Sequence, residues 1–321
     1  MSVVVTGASG FIGSNLVHGL NTAGYTDLIL VDEFETPAKQ INLQGAVFTR
    51  KVHRDVFPDW FREAGAEVSF VFHLGARTDT AEFNFRVLDS LNLSYSKTIW
   101  EICTARGIPL IYASSAATYG KGEHGFSDEH ALLPRLQPLN PYGLSKHLFD
   151  LYTTEQQNCP PFWCGVKFFN VYGPREQHKG RMASVVYHAI RQIRETGQVK
   201  LFKSHRPEYQ DGEQLRDFIY IDDVIRALMH LFTHYRSGHI ANGIYNLGTG
   251  RAQSFRQLAT AVFQAMGKPV NIVFIPTPDD IRDKYQYFTE ADMRKLHATG
   301  FEGPYLTLQE AAPLYLAQAG L

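Results

Sequence analysis

The sequence has few cysteines and almost no net charge. Its 321 residues include three cysteines, an odd number without the clustering of a metal site: Cys103, Cys159 and Cys164. Such thiols are typical of reduced cytoplasmic proteins, so we expect that location and no metal. The formal net charge is −1, and no overall basic field therefore favours nucleic acid or an acidic membrane as a partner.

The chain also lacks long apolar runs, internal repeats and low-complexity segments. No run reaches the roughly 18 apolar residues that suggest a membrane-spanning helix. The opening stretch, Met-Ser-Val-Val-Val-Thr-Gly, indicates a core strand that enters a turn and not a secretion signal. A hydrophobic fraction of 44% and a charged fraction of 20% indicate a soluble globular enzyme of one large or two modest domains.

What the chain does have is an alternation of short apolar segments with helical patterns. The segments predicted as strands are Ser2–Val5, Leu28–Val31, Ser69–Leu74, Pro109–Ala113 and Trp163–Phe169. Helices are predicted over Phe11–Ala23, over Tyr95–Arg106 and from Asn140-Pro141, where Asn can cap the helix and Pro suits its first turn. This alternation predicts an α/β fold with a Rossmann-type, doubly wound parallel sheet.

The pattern changes after Arg175. The elements predicted there are a helix with an apolar stripe from Met182 to Ile193, a surface loop at Ser204–Asp217, a helix at Val224–Phe232, and strands at Phe218–Ile221 and Ile244–Leu247. We therefore predict a cofactor-binding domain over residues 1–174, with returning segments at about 218–250. Residues 175–217 and 251–321 are predicted to form a smaller, interleaved substrate-binding domain.

Three glycines follow the first predicted strand at a spacing that can hold a dinucleotide. Gly7, Gly10 and Gly13 lie between that strand and the next helix, which opens with Phe11 and Ile12. Backbone N–H groups and the helix dipole at such a turn favour a diphosphate. Because a glycine motif alone is weak, the prediction depends on its context: a strand before it, a helix after it and an acid ending the second strand.

That acid, Asp32, lies where a carboxylate accepts hydrogen bonds from the adenosine ribose, which usually favours NAD. Lys39 and Arg54 follow, and either one could neutralise the 2′-phosphate of NADP or simply lie in solvent. The residues alone leave NAD and NADP open. Small residues end the strand at Leu74-Gly75-Ala76-Arg77, where adenine or ribose could pack or the strand could simply terminate.

Tyr142 and Lys146 indicate proton transfer at a hydroxyl group. Residues four apart share one face of a helix, so the ammonium can lie beside the phenol. A free Tyr has a pKa near 10 and is a poor base, and a neighbouring cation favours its phenolate. Ser114 or Ser115, just past a predicted strand, can bind the same hydroxyl. Together with the glycine turn, these residues predict hydride chemistry at a carbinol carbon.

These motifs resemble the extended short-chain dehydrogenase/reductase superfamily of nucleotide-sugar enzymes. Five blocks are more specifically similar to its ADP-L-glycero-D-manno-heptose 6-epimerase family, and they reach to about Leu296: Tyr112-Ala-Ser-Ser-Ala-Ala-Thr-Tyr-Gly120, Phe169-Asn-Val-Tyr-Gly-Pro-Arg-Glu176, His178-Lys-Gly180, Met182-Ala-Ser184 and Phe288-Thr289. The resemblance implies inversion of carbon 6 of an ADP-heptose through a transient ketone, for the supply of lipopolysaccharide heptose. It also implies NADP, with NAD as the alternative, and a homo-oligomer, a pentamer in that family.

The resemblance further implies roles for particular residues. Tyr142 and Lys179 would be the two proton-handling groups, with Lys146 and Ser115 beside Tyr142. Further cofactor residues would be Glu33, Thr78, Asn92, Val171, Lys146 and Lys179. Substrate residues would be Ser115, Asn170, Arg181, His188, Phe202, Lys203, Ser204, His205, Arg216 and Tyr285. From the residues alone, Lys179 reads as a surface lysine, Asn170 as a turn residue and Tyr285 as a packed aromatic residue.

The chain departs from that family's pattern at three places. Arg181 replaces a small Ser, Leu91 replaces the first of a paired Asn, and the loop at Ser204–Asp217 is longer. Two alternatives stay open: another nucleotide-sugar epimerase or dehydratase, and a non-catalytic nucleotide-sensing binder. A dehydratase usually has an Asp-Glu pair where Ala116-Ala117 stand here, and a binder tends to lose the Tyr or the Lys, which this chain keeps.

Overall fold

The structure, a computed structural model, describes residues 2–64, 67–80, 82–278, 282 and 285–318. The first residue of the predicted cofactor domain and the last three of the predicted substrate domain lie outside this range. The strands are β1 Ser2–Thr6, β2 Leu28–Asp32, β3 Arg50–His53, β4 Val68–His73, β5 Leu110–Ser115, β6 Trp163–Phe168, β7 Asn170–Tyr172, β8 Val199–Phe202, β9 Leu215–Tyr220, β10 Gly243–Leu247, β11 Ala252–Ser254 and β12 Ile272–Ile275.

The described α-helices lie mostly between these strands. They are α1 Phe11–Thr22, α2 Pro37–Gln40, α3 Phe57–Ala64, α4 Phe85–Leu88, α5 Tyr95–Arg106, α6 Pro141–Glu155, α7 Val185–Thr196, α8 Ile221–His234, α9 Phe255–Ala265, α10 Arg294–His297 and α11 Leu308–Gln318. Helix α6 begins as predicted, since the Asn140 side chain accepts a hydrogen bond from the Gly143 amide at 2.8 Å. Within the described residues, no helix combines the length and apolarity needed to cross a membrane.

A seven-stranded parallel sheet forms the centre of the molecule and confirms the predicted doubly wound fold. Its order is β10-β6-β5-β4-β1-β2-β3. Strand β1 is buried along its whole length, as expected for an apolar strand covered on both faces. The strand order reverses at β1, which pairs with β2 on one side and β4 on the other. The carboxyl ends of these strands therefore border the crevice where α/β sheets bind their ligands.

Two smaller sheets lie in the second half of the chain. One has the order β11-β9-β7, and the other pairs β12 with β8 in parallel. Strand β10 instead joins the central sheet beside β6, so the chain returns to it after β9 and α8. The C-terminal helix α11 packs against α9, and its Tyr315 side chain is completely buried.

The structure corrects several predicted boundaries. The predicted end of the loop Ser204–Asp217 is wrong, because β9 already begins at Leu215. Strand β9 forms hydrogen bonds with β7 on one side and β11 on the other. Ile221 opens α8 instead of ending a strand. Asn170 lies in the short strand β7 and not in a turn. Strand β3 was missed because it is an edge strand with the exposed cations Arg50 and Lys51 at its start, which hide the buried Val52.

Candidate active site

The glycine turn brings β1, β4 and α1 too close together for side chains. Gly7 has a φ of +67°, and a Cβ there would lie 2.7 Å from the Cα of Gly75. A Cβ on Gly13 would lie 2.0 Å from the Gly7 carbonyl oxygen, and Gly10 caps α1 without a side-chain hydrogen bond. The N-terminus of α1, with Phe11 as its first residue, is therefore accessible to a diphosphate along bare backbone. These residues fit a dinucleotide cofactor.

Acidic and basic side chains meet at the end of β2. Asp32 accepts hydrogen bonds from the Ser9 amide at 2.9 Å and the Glu33 amide at 2.8 Å. The Lys39 ammonium lies 3.0 Å from Glu33 Oε1 and 3.5 Å from Asp32 Oδ1. Arg54 follows β3, and its amide donates to the Asp32 carbonyl at 3.0 Å. The structure thus places the Lys39 ammonium beside the predicted ribose acceptor, whereas the Arg54 guanidinium lies 3.5 Å from Asp55.

Asn92 connects the segment after β4 to the helix that carries Tyr142. Its side chain accepts a hydrogen bond from the Arg77 amide at 2.7 Å and donates to the Arg77 carbonyl at 3.0 Å. It also donates to the Ser145 hydroxyl at 3.0 Å, which itself donates to the Tyr142 carbonyl. Asn92 is almost completely buried. Its contacts fix the predicted cofactor segment from Leu74 to Thr78 relative to α6.

The Lys146 ammonium is held at the end of β5. It donates a hydrogen bond to the Ala113 carbonyl at 2.9 Å and is only 4% exposed. Burial lowers its pKa to about 8, although the negative charge of Asp150 opposes that shift. A cation with this pKa loses its proton close to neutral pH, so the charge of Lys146 depends on pH.

Burial also raises the pKa of the Tyr142 phenol, while its hydrogen bond with Ser115 lowers it and the charge of Asp150 raises it further. Burial of the phenol is the largest of these contributions. The phenol is protonated at neutral pH, and Ser115 lies beside it as predicted. The arrangement therefore has a proton donor ready, and base action by Tyr142 requires additional positive charge nearby.

A buried ion pair below this site was not predicted. Asp150 and Lys167 lie 2.5 Å apart with fully buried side chains. The carboxylate also accepts hydrogen bonds from Ser114 at 2.7 Å and Tyr112 at 3.1 Å, and the ammonium donates to Thr118 at 2.6 Å. Asp150 lies one turn after Lys146 on α6. The pair therefore connects α6 to β5 and β6 one turn beyond Lys146.

Removing one partner of this pair should destabilise the protein strongly. Lys167→Met leaves the Asp150 carboxylate buried without its cation, which costs about 3–5 kcal/mol in comparable cases. We expect the free energy of unfolding in urea to fall by that amount. The double variant Lys167→Met/Asp150→Leu should recover most of it, because no charge is then buried. Equal stability of the single variant and the wild type would contradict the assigned ion pair.

Lys179 packs against the glycine turn. It lies in a 3₁₀ turn at Gln177–Met182, with its Nζ 5.6 Å from the centre of the Phe11 ring. Burial lowers the pKa of Lys179, and the negative charge of Glu176 opposes that shift. Asn42 holds the turn in place, because its amide donates to the carbonyls of Ser9 and Arg175. The predicted second proton handler is therefore a partly buried amine that lies against Phe11, next to the glycine turn.

The predicted substrate residues next to this turn differ in exposure. Arg181 has a side chain that is 71% exposed and lies 3.5 Å from Asp79. His188 on α7 is placed with its Nε2 3.3 Å from the Arg181 carbonyl oxygen. Asn170 is exposed at the start of β7, and its side chain lies 3.5 Å from the Thr289 hydroxyl. Val171 is half-buried in the same strand, where it pairs with Ile219.

The remaining predicted substrate residues form a second cluster. The Arg216 guanidinium lies 5.4 Å from the centre of the Tyr285 ring and donates to the Leu215 carbonyl at 2.8 Å. Burial lowers the pKa of Arg216. The rings of Phe202 and His205 both pack edge-on against Tyr285, at 6.1 and 6.4 Å. An aromatic cluster with a buried guanidinium suits a nucleotide diphosphate and its base.

Tyr287 organises this cluster and was missed from the sequence. Its hydroxyl accepts hydrogen bonds from the His205 amide at 2.8 Å and from the Ser204 hydroxyl at 3.3 Å. Lys203 precedes Ser204 in the same segment, and it is held by a hydrogen bond from its amide to the Ile275 carbonyl at 2.8 Å. The alternation of aromatic residues at positions 285 and 287 was the available signal, because it places Tyr287 two residues beyond Tyr285.

Comparison with known proteins agrees with this geometry. The family model described as the NAD dependent epimerase/dehydratase family matches residues 3–248. An ADP-L-glycero-D-manno-heptose-6-epimerase of Fusobacterium nucleatum is 40% identical, over 98% of this chain and 96% of its own. A protein of the same name from Nitratidesulfovibrio vulgaris is 42% identical, over 98% and 97%.

A solved structure is similar over the same extent. The UDP-glucose 4-epimerase of Thermus thermophilus in complex with NAD is 28% identical, covers 100% of this chain and 99% of its own, and has a TM-score of 0.80. The neighbour's bound NAD and the bare glycine turn of this chain both indicate a nicotinamide cofactor. On the match to its family model and on the two close relatives, this chain belongs to the NAD dependent epimerase/dehydratase family.

Proposed function

We propose that this chain inverts carbon 6 of ADP-D-glycero-D-manno-heptose to give the L-glycero isomer. The names of its relatives, at about 40% identity over nearly the whole chain, support this substrate. The single observation in the structure that supports this reaction best is the position of the Lys179 amine. A second amine, half-buried against Phe11 on the cofactor turn, complements Tyr142 and Lys146. Its product would supply lipopolysaccharide heptose.

Inversion through a ketone requires a proton to leave the carbon 6 hydroxyl. After the ketone has presented its other face and carbon 6 has taken the opposite configuration, a proton must return to the oxygen. When bound, the nicotinamide cofactor supplies reversible acceptance of a hydride from that carbon. Tyr142 handles the proton at its phenol oxygen, with Ser115 bonded to it and Lys146 behind it. Lys179 handles the proton for the other configuration of the carbon at its Nζ.

Recognition of the ADP group falls to the second cluster. Arg216 would bind the diphosphate, and the segment Phe202–His205 with Tyr285 would enclose the nucleoside. Asn170, Arg181 and His188 would contact the sugar side. We propose the two-domain division predicted above, location in the cytoplasm and a homo-oligomer, specifically a pentamer. Sedimentation equilibrium of the pure protein at several concentrations tests the oligomer.

The decisive experiment is to incubate the pure protein with ADP-D-glycero-D-manno-heptose and follow the carbon 6 proton by NMR. We expect an equilibrium mixture of both epimers without net change in the oxidation state of the cofactor. A Tyr142→Phe sample is the matched blank for contaminating activity. Absence of conversion, together with turnover of a UDP-sugar, would replace this proposal with a 4-epimerase or dehydratase.

For the cofactor we propose NADP, because the Lys39 ammonium lies 3.5 Å from Asp32, where it could neutralise a 2′-phosphate. Lys39→Ala should raise the Kd of NADP about 10-fold, the equivalent of one charge-assisted hydrogen bond, and leave the Kd of NAD within a factor of about two. Titration calorimetry of the cofactor-free protein measures both. Lys51→Ala is the control, since Lys51 on neighbouring β3 packs against Phe34 instead. Equal losses for NAD and NADP would contradict the assignment.

A further inference from the structure

Glu176 is a fully buried carboxylate that none of the steps above uses. Each hydrogen bond described for it comes from a neutral donor. Oε1 accepts from the Gly173 amide at 3.3 Å, the Ser184 hydroxyl at 2.7 Å and the Tyr315 hydroxyl at 2.8 Å. Oε2 accepts from the Ser184 amide at 2.5 Å. A buried carboxyl group is costly unless hydrogen bonds compensate it, and these four bonds hold the Glu176 side chain in one position.

Two of these donors, Gly173 and Ser184, lie on opposite sides of the turn that carries Lys179. Gly173 precedes the turn, and Ser184 follows it as the N-cap of α7. The backbone carbonyl of Glu176 also accepts a hydrogen bond from the Lys179 amide at 2.9 Å. The Glu176 side chain therefore connects the two ends of the turn. The Glu176 backbone carbonyl accepts the first hydrogen bond of the 3₁₀ turn.

The segment that leads into this turn has a conformation that needs such support. Arg175 has a φ of +71°, a left-handed conformation that is unfavourable for a residue with a side chain. Its guanidinium donates to the Asn15 side chain at 2.8 Å, and that side chain donates to the Pro174 carbonyl at 3.0 Å. The turn is thus fixed to α1 on one side and closed by Glu176 on the other.

Tyr315 extends this connection to the end of the chain. It lies on α11, 139 residues after Glu176, and is completely buried. A second bond of the same helix joins Gln318 to the Tyr220 hydroxyl at 3.2 Å. The C-terminal helix therefore contacts Glu176, the residue that precedes the Lys179 turn.

We propose that Glu176, held by Tyr315, is the positioning residue that keeps the Lys179 amine against the cofactor turn. The proposal rests on the proposed function, in which Lys179 handles a proton. The negative charge of Glu176 has a second effect, because it opposes the lowering of the Lys179 pKa by burial and so favours the proton-carrying form. Glu176 itself transfers no proton to substrate, because its oxygens face backbone and hydroxyl donors.

The test compares Glu176→Gln with Tyr315→Phe. A Gln keeps the shape but points an N–H₂ group at donors, so the Gly173 or Ser184 amide loses its acceptor. We expect kcat to fall about 100-fold in Glu176→Gln, the cost of misplacing a reacting group by about 1 Å, and about 10-fold in Tyr315→Phe. KM should change by less than a factor of about three, because the nucleotide cluster is untouched.

Hydrogen exchange measured by mass spectrometry gives a readout that does not depend on activity. Peptides that contain Gly173 and Ser184 should exchange faster in Glu176→Gln and in Tyr315→Phe than in the wild type. Tyr245→Phe is the control, since its hydroxyl donates to the Ala241 carbonyl at 2.6 Å, away from this turn. If Glu176→Gln does not fold, Tyr315→Phe removes only one hydroxyl and carries the test.

The outcomes separate this proposal from the proposed function. If the wild type epimerises and both variants keep full kcat, the positioning role is wrong and the function stands. If the wild type does not epimerise, the proposed function is wrong, and hydrogen exchange then tests whether Glu176 holds the turn. Unchanged exchange in both variants overturns that role, and faster exchange supports it. A large rise in KM with unchanged kcat would also overturn it, because the turn would then serve binding and not proton transfer.

Discussion

Tyr142→Phe is expected to lower kcat for epimerisation by about 10²- to 10⁴-fold, the usual contribution of a positioned acid–base group. The substitution removes only the hydroxyl, so the phenyl ring still fills the space between α6 and Ser115. Cofactor Kd and thermal stability should therefore stay close to the wild type. The measurement is the initial rate of epimer formation at saturating substrate, with cofactor affinity determined separately by calorimetry.

A control for this variant lies on the same helix. Tyr152→Phe also removes a phenol from α6, but that hydroxyl points to Glu101 at the surface, at 3.4 Å. Its kcat should match the wild type. Full activity in Tyr142→Phe would remove Tyr142 from the mechanism, whereas equal loss in both variants would indicate damage to the helix and not a lost proton transfer.

Lys179→Met should reduce kcat by a similar factor, about 10²- to 10⁴-fold, because inversion needs a proton handler for each configuration of carbon 6. Met keeps the apolar contact with Phe11 while removing the amine. The double variant with Tyr142→Phe should be little worse than either single variant, since groups that act in one sequence are not additive. Rates of all three variants from the same NMR assay give the comparison.

Lys97→Met serves as the surface control, because this ammonium packs over the Tyr152 ring at 4.7 Å on the outside of the molecule. An active Lys179→Met variant would leave Tyr142 as the single proton handler. It would favour a mechanism in which the ketone intermediate rotates in the site and Tyr142 transfers the proton for both configurations of carbon 6. An inactive variant with normal cofactor affinity would agree with two groups.

The sequence predicted those parts of the site whose chemistry depends on close spacing. The Gly7, Gly10 and Gly13 turn and the Tyr142–Lys146 pair are each determined within a few residues, by backbone approach and by helix periodicity. Asp32 followed from its position at the end of β2. The parallel sheet followed from apolar segments that alternate with helical patterns.

The parts that could not be predicted depend on contacts between distant positions. Asp150 and Lys167 are 17 residues apart in sequence, and each is an ordinary surface residue type until the fold buries both. Glu176 meets Tyr315 only because α11 returns to the Lys179 turn. The pKa direction of Tyr142 likewise depends on how deeply α6 is covered, which helix periodicity does not determine.

The return of β10 to the central sheet determines whether the cofactor-binding residues can be separated from the rest of the chain. Gly243–Leu247 pairs with Cys164–Phe168 along a strand that is buried throughout. A shortened chain of residues 1–174 would leave that apolar strand as an open edge, which favours aggregation. A foreign C-terminal half fused to the cofactor-binding residues must therefore include a strand that replaces β10 beside β6. Changes in loops inside an intact chain avoid this requirement, because they leave the pairing of β6 with β10 in place.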